Sequence, residues 1–573
     1  MRSARLSGRA NRLRRGLAEA RARFRWILPT PGGTGLSRRF AAFSPPSFLF
    51  RMTDRIVPAT LVFREDGTVV SPLYGDIYHS AAGALAQANH VFIRGNGLPE
   101  RWRHERAFTI IETGFGTGCN FLATWAAWRA DPSHCERLHF VSVEKHPFAR
   151  EDLRRAAAHI VAYTTITTIT PIAPIAPLVD ELANAWPALT PGVHRLEFDD
   201  GRVTLTLVFG DALDVLPNLA LRAHAFYLDG FAPSKNADLW SPAIFKSLAK
   251  LADERATFAT YTSSGAVKRA LDEAGFAYRK VDGFAGKRAM LVGEFAPRWR
   301  VRRHEPPRAF STDRRDAIVI GAGLAGCAVV ERLAARGWHV TLIERRERIA
   351  SEASGNPAGV FHPMIARDDN LAARLSRAGF LHALHRWRAL ERAGHAFSRS
   401  THGLVQLATS DDEFERMRES IDALGVPAEL ASALSRDDAR ALLRTDVAHG
   451  GWLFAQGGSI SPAALAAAQC AAAGDRLFAH RRRRDRAART RRRRPLARAR
   501  RIGRDDCAGE RRRRRERGRC GAHRGPAACA DATRARPVDA AAAGQRARRA
   551  AARDRRRLRR AARERRHADG RNL

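Results

Sequence analysis

The chain has 573 residues, too many for one ordinary core, so two or more domains are expected. Its formal net charge of +40 suggests a nucleic-acid binder, but residues 1–51 carry 12 Arg and one acidic residue, residues 476–573 carry 38 Arg, no Lys and 10 acidic residues, and residues 52–475 are left with only +1. No apolar run reaches the roughly 18 residues of a membrane span, and the seven Cys show no paired metal spacing, which excludes a membrane-spanning or zinc-ribbon class and points to a reduced cytoplasmic chain without a metal.

Residues 1–51 are Arg-rich and acid-poor, with a short apolar patch at Phe48-Leu49-Phe50. They look superficially like a transit peptide; the simpler reading is translation starting at Met52. From Ile56 to Tyr78 short strands and turns are expected, with Asp66-Gly67 as a tight turn. Ala81–Phe92 reads as a helix, Phe108–Glu112 as a buried strand and Phe121–Trp128 as a helix. Buried strands follow at Leu138–Glu144, Leu205–Phe209 and Ala225–Asp229. The Thr/Ile/Pro/Ala repeat over Tyr163–Pro177 reads as a loop because its prolines oppose a regular helix. Strands alternating with helices predict an α/β domain with a largely parallel, Rossmann-like sheet.

The turn Glu112-Thr-Gly114-Phe-Gly116-Thr-Gly118-Cys-Asn120 joins the first buried strand to its helix. Glycines there allow tight backbone and close approach to a ligand, at the strand ends where open sheets bind ligands. No Lys-Ser/Thr pair follows, so this is not a phosphate-gripping P-loop. Glu144 ends the next strand, where a carboxylate accepts from the ribose hydroxyls of an adenosine, and Asp211 ends the third, within reach of an adenine amino group. An acidic residue with three alternate glycines and these two further acids points to S-adenosylmethionine as cofactor. The fourth strand runs into Asp229-Gly-Phe231-Ala-Pro-Ser-Lys235-Asn236-Ala-Asp-Leu-Trp240. Asp229 is the candidate catalytic residue, accepting a proton from an amine or holding it by hydrogen bond, with Lys235 and Asn236 shaping the loop. Phe231 and Trp240 either stack on a base or, for Trp240, fill the core.

The strings Ser71–Tyr78, Glu112–Asn120, Val143–Pro147, Leu228–Trp240, Tyr261–Gly265 and Gly286–Leu291 together resemble the methyltransferase half of the bifunctional tRNA 5-methylaminomethyl-2-thiouridine biosynthesis (MnmC) family over residues 56–295, within a first domain expected over 52–295. The chain departs from that pattern at Ala237-Asp238-Leu239, where the family continues in a Pro-Glu-Met-like way.

Residues 296–315, rich in Pro, Arg and His, read as a linker to a second domain over 316–475. There Ile318-Val-Ile-Gly321-Ala-Gly323-Leu-Ala-Gly326 forms a strand, a G-x-G-x-x-G turn and a helix start, and the strand His339–Glu344 ends in Glu344. That unit suits a dinucleotide, with pyrophosphate at the helix N-terminus and ribose on the acid, and the residues alone leave NAD and FAD both open. Ala353-Ser354-Gly355-Asn356 through Pro363, and Gly457–Pro462, resemble the FAD-binding, D-amino-acid-oxidase-like half of the same family. The resemblance implies FAD, with Ser354, Gly355 and Asn356 at its site, and a tRNA substrate. It implies oxidative removal of a carboxymethyl group from a modified uridine, then methylation of the exposed amine. A methyltransferase–oxidoreductase fusion acting on a small amine is the alternative. Oligomeric state stays open.

Residues 476–573 contain only seven of Leu, Ile, Val and Phe, too few to offset chain entropy, so a disordered tail is expected. An Arg- and Ala-rich run without Lys, beginning abruptly after Asp475, is also what a GC-rich gene yields out of frame, and that is the favoured reading. A second domain cut short in this way leaves unpaired strand edge and bare apolar surface, which predicts weak FAD binding.

Overall fold

The computed structural model describes residues 55–167, 175–298 and 312–481, all within one compact unit that ends at Asp485. Three short strands, β1 (Val62–Phe63), β2 (Val69–Ser71) and β3 (Asp76–Ile77), form an antiparallel meander near the start. The main sheet follows, built from β4 (Ala107–Thr113), β5 (Arg137–Glu144), β6 (Gly192–Phe198), β7 (Val203–Phe209), β8 (Ala223–Leu228), β9 (Ala252–Thr260), β10 (Phe276–Val281) and β11 (Met290–Phe295). Its order is β10-β11-β9-β8-β4-β5-β7-β6. The central run from β9 to β7 is parallel, whereas β6, β10 and β11 are antiparallel to their neighbours. The chain starts at β4, moves outward through β5 and β7, then returns to build β8 and β9 on the other side of β4. The carboxyl ends of β4, β5 and β8 therefore flank a topological switch, where ligands of such sheets bind.

Both faces of this sheet are covered, which is why its central strands read as near-continuous apolar runs. On one face Phe121 and Trp125 of α1 (Cys119–Ala130) pack on Phe140, Phe198 and Tyr227, with α2 (Arg150–Thr167) and α3 (Ala176–Ala185) alongside. On the other, α4 (Pro242–Leu251) and α5 (Gly265–Ala274) cover Ile111, Val141, Phe226 and Phe258.

Several expectations from sequence are corrected here. The helix expected over Ala81–Phe92 is a single α-turn at Ala84–Gln87 followed by a π-helix over Ala88–Ile93. It begins only after Gly83, whose φ of 116° breaks any earlier start. The segment Tyr163–Pro177 is not a continuous loop: α2 runs through Thr167, and Pro177 lies in the first turn of α3, where its missing N–H is no loss. The edge strand β6 was not foreseen.

The second part opens with β12 (Asp316–Ile320), α6 (Leu324–Ala334) and β13 (His339–Glu344). It adds β14 (Gly359–Phe361), α7 (Leu371–Arg392), β15 (Leu404–Leu407), α8 (Asp411–Leu424), β16 (Ser432–Leu434), α9 (Arg436–Leu443), β17 (Gly451–Phe454), β18 (Gly458–Ile460), α10 (Pro462–Ala472) and β19 (Leu477–Arg481). β12, β13 and β19 form a parallel sheet in the order β12-β13-β19. Leu477–Arg481 thus belongs to the dinucleotide sheet, beyond the boundary that composition placed at Asp475. The remainder of residues 476–573 and the N-terminal extension lie outside the described residues. α6 and α10 cover one face of this sheet through Val319, Val330, Val340, Leu342 and Ala466. Apolar side chains on the opposite face are exposed: Ile318, Ile320, Ile343 and Phe478 are 67, 84, 40 and 62% exposed.

α7 closes the free edge of the main sheet at β6. His382 Nδ1 lies 3.3 Å from the Arg195 carbonyl, and His385 Nε2 lies 3.0 Å from both the amide and the carbonyl of Glu197. Imidazoles thereby meet edge groups of β6 that would otherwise stand as a template for association, His385 Nε2 serving either the amide or the carbonyl of Glu197 according to its tautomer. Among the described residues, no helix is long and apolar enough to cross a membrane.

Candidate active site

A cavity of about 260 Å³ opens at the carboxyl ends of β4, β5, β7 and β8. Its floor is the glycine turn. Gly114 and Gly116 adopt φ of 87° and 52°, the left-handed region that disfavours any side chain, and a Cβ on Gly116 would also sit a tight 3.1 Å from the Tyr78 ring. Gly118, at φ 77°, caps the start of α1 behind that floor. Glu144 lines the cavity and accepts the Gly116 N–H at 2.9 Å and the His146 N–H at 2.7 Å, which fixes its carboxylate at the strand end. Asp211 lines it too. One oxygen caps a helical turn by accepting the Leu213 N–H at 2.9 Å, and the other takes Lys145 Nζ at 2.8 Å. Burial pushes the Asp211 carboxyl up, but Lys145 and the Leu213 N–H outweigh it and hold the group below the usual range.

Asp229 stands just past β8 at the cavity wall. Its Oδ1 accepts the Gly230 N–H at 2.8 Å and its Oδ2 accepts Asn120 Nδ2 at 2.7 Å. Burial pushes it up to about 6 against the lowering effect of Gly230, Asn120 and Lys287. Thr113 Oγ1 pins its backbone, donating to the Asp229 carbonyl at 2.8 Å. Over it lies an aromatic wall: Tyr74 stacks on Phe231 with ring centroids 4.5 Å apart, and Tyr78 meets Phe231 edge-on at 5.0 Å. The loop that carries Phe231 is held by the Ala232 N–H on Asp76, by Tyr261 Oη on the Gly230 carbonyl and by Trp240 Nε1 on the Phe231 carbonyl, each at 2.8 Å.

The structure thus brings Gly114, Gly116, Asn120, Glu144, Asp211 and Asp229 to one cavity. It does not bring Glu112 there. Glu112 is fully buried, with Oε1 on Asn120 Nδ2 at 2.9 Å and Oε2 2.6 Å from Ser142 Oγ, and burial pushes its carboxyl well above the usual range. Trp240 is core, packed with Phe245 and Ile244, so of the two aromatic residues only Phe231 faces the site. Asn236 lines the cavity while Lys235 is exposed outside it.

At the second site, Gly321 has φ 95°, and a Cβ on Gly326 would fall 1.8 Å from the Gly321 carbonyl oxygen, so helix and turn meet without space for one. Glu344 accepts the Ala322 N–H at 2.7 Å and the Arg346 N–H at 2.8 Å. Ser354 Oγ accepts the Leu324 N–H at 3.1 Å at the head of α6 and sits 3.1 Å from where a Cβ on Gly323 would be. Gly355 packs tightly on the Ala350 carbonyl, and Asn356 is exposed. Turn, acid and helix start fit the adenosine and pyrophosphate end of a dinucleotide.

Two family models match the chain: S-adenosyl-L-methionine-dependent methyltransferase over residues 173–296, and FAD dependent oxidoreductase over residues 316–511. The chain is 99% identical over 426 residues to the tRNA 5-methylaminomethyl-2-thiouridine biosynthesis bifunctional protein MnmC of Burkholderia pseudomallei (strain 1106a), a match covering 74% of this chain and 64% of that protein. The corresponding protein of Burkholderia mallei (strain SAVP1) is 98% identical over the same length and shares. Over that stretch the chain is similar to the MnmC proteins of these two species. It spans a little under two thirds of the length of these relatives. Among solved structures, MnmC2 of Aquifex aeolicus is similar at 24% identity and a TM-score of 0.33, over 44% of this chain and 73% of that one. The cofactors of the two matched families, S-adenosylmethionine and FAD, agree with the two glycine turns.

Sequence reasoning missed Tyr74, Tyr78 and Lys145 as parts of the first site. The aromatic pair stands four residues apart in the meander, so only its fold-back over the sheet reveals that both rings reach the cavity. Lys145, next to Glu144, carried a signal in its position at a strand end.

Proposed function

We propose that the first site transfers a methyl group from S-adenosylmethionine to the primary amine of 5-aminomethyl-2-thiouridine in tRNA, in the cytoplasm, a reading in keeping with the names of the relatives. The observation that supports this most directly is Asp229, held by two hydrogen bonds at the wall of a cavity whose floor is the glycine turn and whose cover is aromatic. Glu144 and Asp211 offer acceptors for the ribose and adenine ends of the cofactor, which when bound supplies an electrophilic methyl on sulfonium. Tyr74 and Phe231 present ring faces for a flipped-out base. The neutral amine nitrogen forms a bond to the methyl carbon as the carbon–sulfur bond breaks, and Asp229 Oδ accepts the proton the new ammonium loses. With its carboxyl near 6, Asp229 is ionised at neutral pH and poised for that acceptance.

In the same reading the second part contributes the nucleotide end of an FAD site through Gly321, Gly323, Gly326, Glu344 and Ser354. FAD when bound supplies a hydride acceptor for oxidative removal of the carboxymethyl group from 5-carboxymethylaminomethyl-2-thiouridine. The near-neutral charge of residues 52–475 favours a second reading, a small free amine as substrate, because phosphate contacts draw on basic surface. Full-length protein incubated with methyl-labelled S-adenosylmethionine and tRNA bearing the aminomethyl nucleoside separates the two. Label in the nucleoside after digestion supports the tRNA reading. Equal turnover of a free aminomethyl nucleoside supports the other, and label in neither refutes methyl transfer to an amine.

A further inference from the structure

Glu112 holds the position from which an acidic residue is expected to meet the cofactor, yet its surroundings give it a different task. Its side chain is fully buried and does not line the cavity. Both of its oxygens are engaged within the protein, Oε1 by Asn120 Nδ2 at 2.9 Å and Oε2 by Ser142 Oγ at 2.6 Å. Asn120, in the first turn of α1, spends the same amide nitrogen on a second carboxyl, Asp229 Oδ2, at 2.7 Å. An amide NH₂ has two hydrogens, so one goes to each acid. Ser142 on β5, Glu112 on β4, Asn120 on α1 and Asp229 after β8 therefore form one chain of hydrogen bonds that ends at the cavity. Rotation of the Asn120 amide would release Asp229 Oδ2, and Glu112 is the group that prevents it.

We propose that Glu112 is a positioning residue for methyl transfer: it fixes the Asn120 amide, and through it Asp229, and it makes no contact with the cofactor. This rests on the methyltransferase reading above, with Asp229 as proton acceptor. The electrostatics agree with the geometry. Two acids bridged by one nitrogen cannot both carry charge at low cost, and burial pushes the Glu112 carboxyl well above its usual range and Asp229 up to about 6. The other groups facing the pair keep this order. Glu144 at the end of β5 raises Glu112 further, and Cys119, Tyr227 and Tyr261 are raised by burial and stay neutral. The one cation among them, Lys287, acts on Asp229.

The test uses full-length protein with Glu112→Ala, Glu112→Gln and Asn120→Ala, reading kcat, the KM for S-adenosylmethionine, and the Kd of S-adenosylhomocysteine by calorimetry. Freeing Asp229 is a misplacement of the acceptor by about an ångström, which costs roughly 10- to 100-fold in kcat. Glu112→Ala is expected to show that loss with KM and Kd within about threefold of the parent, as a group outside the ligand's reach should. Glu112→Gln, which keeps a side-chain oxygen to accept from Asn120, is expected to recover most of the lost turnover. The double variant Glu112→Ala with Asn120→Ala should be no slower than Asn120→Ala alone, since both act through one bond. The proposal is overturned if Glu112→Gln weakens S-adenosylhomocysteine tenfold or more, the mark of a carboxylate ligand, or if Glu112→Ala keeps the parent's kcat. Should Glu112→Ala fail to fold, Ser142→Ala, which frees the other end of Glu112, carries the same kcat-without-Kd expectation. Parent protein that binds S-adenosylhomocysteine but methylates neither tRNA nor nucleoside overturns the underlying reading instead.

Discussion

Replacing Glu197 with Ala should separate the stability of the two parts of the molecule. Glu197 lies on β6 with its side chain 1% exposed, and its ion-pair partners among the described residues, Arg195 apart, come from the second part. Arg332 of α6 contacts it directly, Arg386 of α7 approaches at 3.1 Å, and Arg336, just beyond α6, at 3.5 Å. Truncation leaves Arg332 and Arg386 largely buried against an apolar methyl. Breaking a buried pair from one side costs about 3–5 kcal/mol, since the stranded charge keeps its desolvation cost. Glu331 remains in contact with both Arg332 and Arg386, so the loss belongs at the low end, roughly 3 kcal/mol. Burial pushes the Glu197 carboxyl up, but Arg332 and Arg386 outweigh it and hold it below its ordinary value of 4.5. Its contribution is therefore complete above that value and fades as pH falls through the lower folded-state value. Differential scanning calorimetry at pH 7.5 should show the parent's unfolding of the two parts drawn together and the variant's second part melting earlier. At pH 3 the difference between parent and variant should shrink. A variant whose transitions match the parent at pH 7.5 would refute the reasoning, because it would mean that the cluster returns no more than it costs to bury.

Three further outcomes follow from the two sites. Asp229→Asn should abolish most methyl transfer and raise thermal stability at neutral pH by up to about 3 kcal/mol, because a carboxyl raised from 3.8 to about 6 favours the fold below 3.8 and loses that advantage as pH rises through 6. Thermal melts at pH 7.5 and pH 4 check the sign, and in the parent the methylation rate should fall on the acid side near pH 6. Tyr74→Ala removes one ring of the Tyr74–Phe231 stack, and at about 1–3 kcal/mol per stacked base the KM for tRNA should rise roughly 5- to 150-fold with a smaller change in the Kd of S-adenosylhomocysteine. Purified full-length protein should carry far less than one FAD per chain, read from flavin absorbance against protein; a stoichiometric flavin that is reduced by substrate would contradict the argument from the exposed apolar side chains of the sheet face.

Much of the first site was legible because its chemistry follows chain order: each strand end delivers one acid, and Glu144, Asp211 and Asp229 reach the cavity as their positions at strand ends implied. What the sequence concealed depends on depth and on long-range pairing. Glu112 and Glu144 look alike as acids at strand ends, but Glu112 is one residue short of its strand's end and points into the sheet–helix layer, where Ser142 and Asn120 receive it. Trp240 and Phe231 are equally aromatic in one loop, and only the packing of Ile244 and Phe245 assigns Trp240 to the core. The strand β6 was hidden because its alternation includes Arg195 and Glu197, polar residues explained by a helix more than 170 positions away in the chain. The same kind of distance hid the β19 strand, whose Leu477-Phe478-Ala479 opens an Arg-rich segment yet pairs with Val340–Leu342.

The second sheet shows why a nucleotide-binding turn and a working flavin site are separable. Every contact that shapes the turn is local to β12, α6, β13 and the loop at Ser354: Glu344 on the Ala322 N–H, Ser354 on the Leu324 N–H, Gly326 against Gly321. None of them draws on the face where Ile318, Ile320, Ile343 and Phe478 are exposed. α6 is further held from outside, since Glu197 grips Arg332 near its carboxyl end while Val330 and Ala334 pack inward on the sheet. The helix that points its amino end at the turn is thus clamped between its own sheet and the methyltransferase edge strand. The local geometry that fits an adenosine pyrophosphate persists on this account even though apolar side chains of the opposite sheet face are exposed, and loss of the Glu197 clamp should loosen the turn before it disturbs the cavity around Asp229.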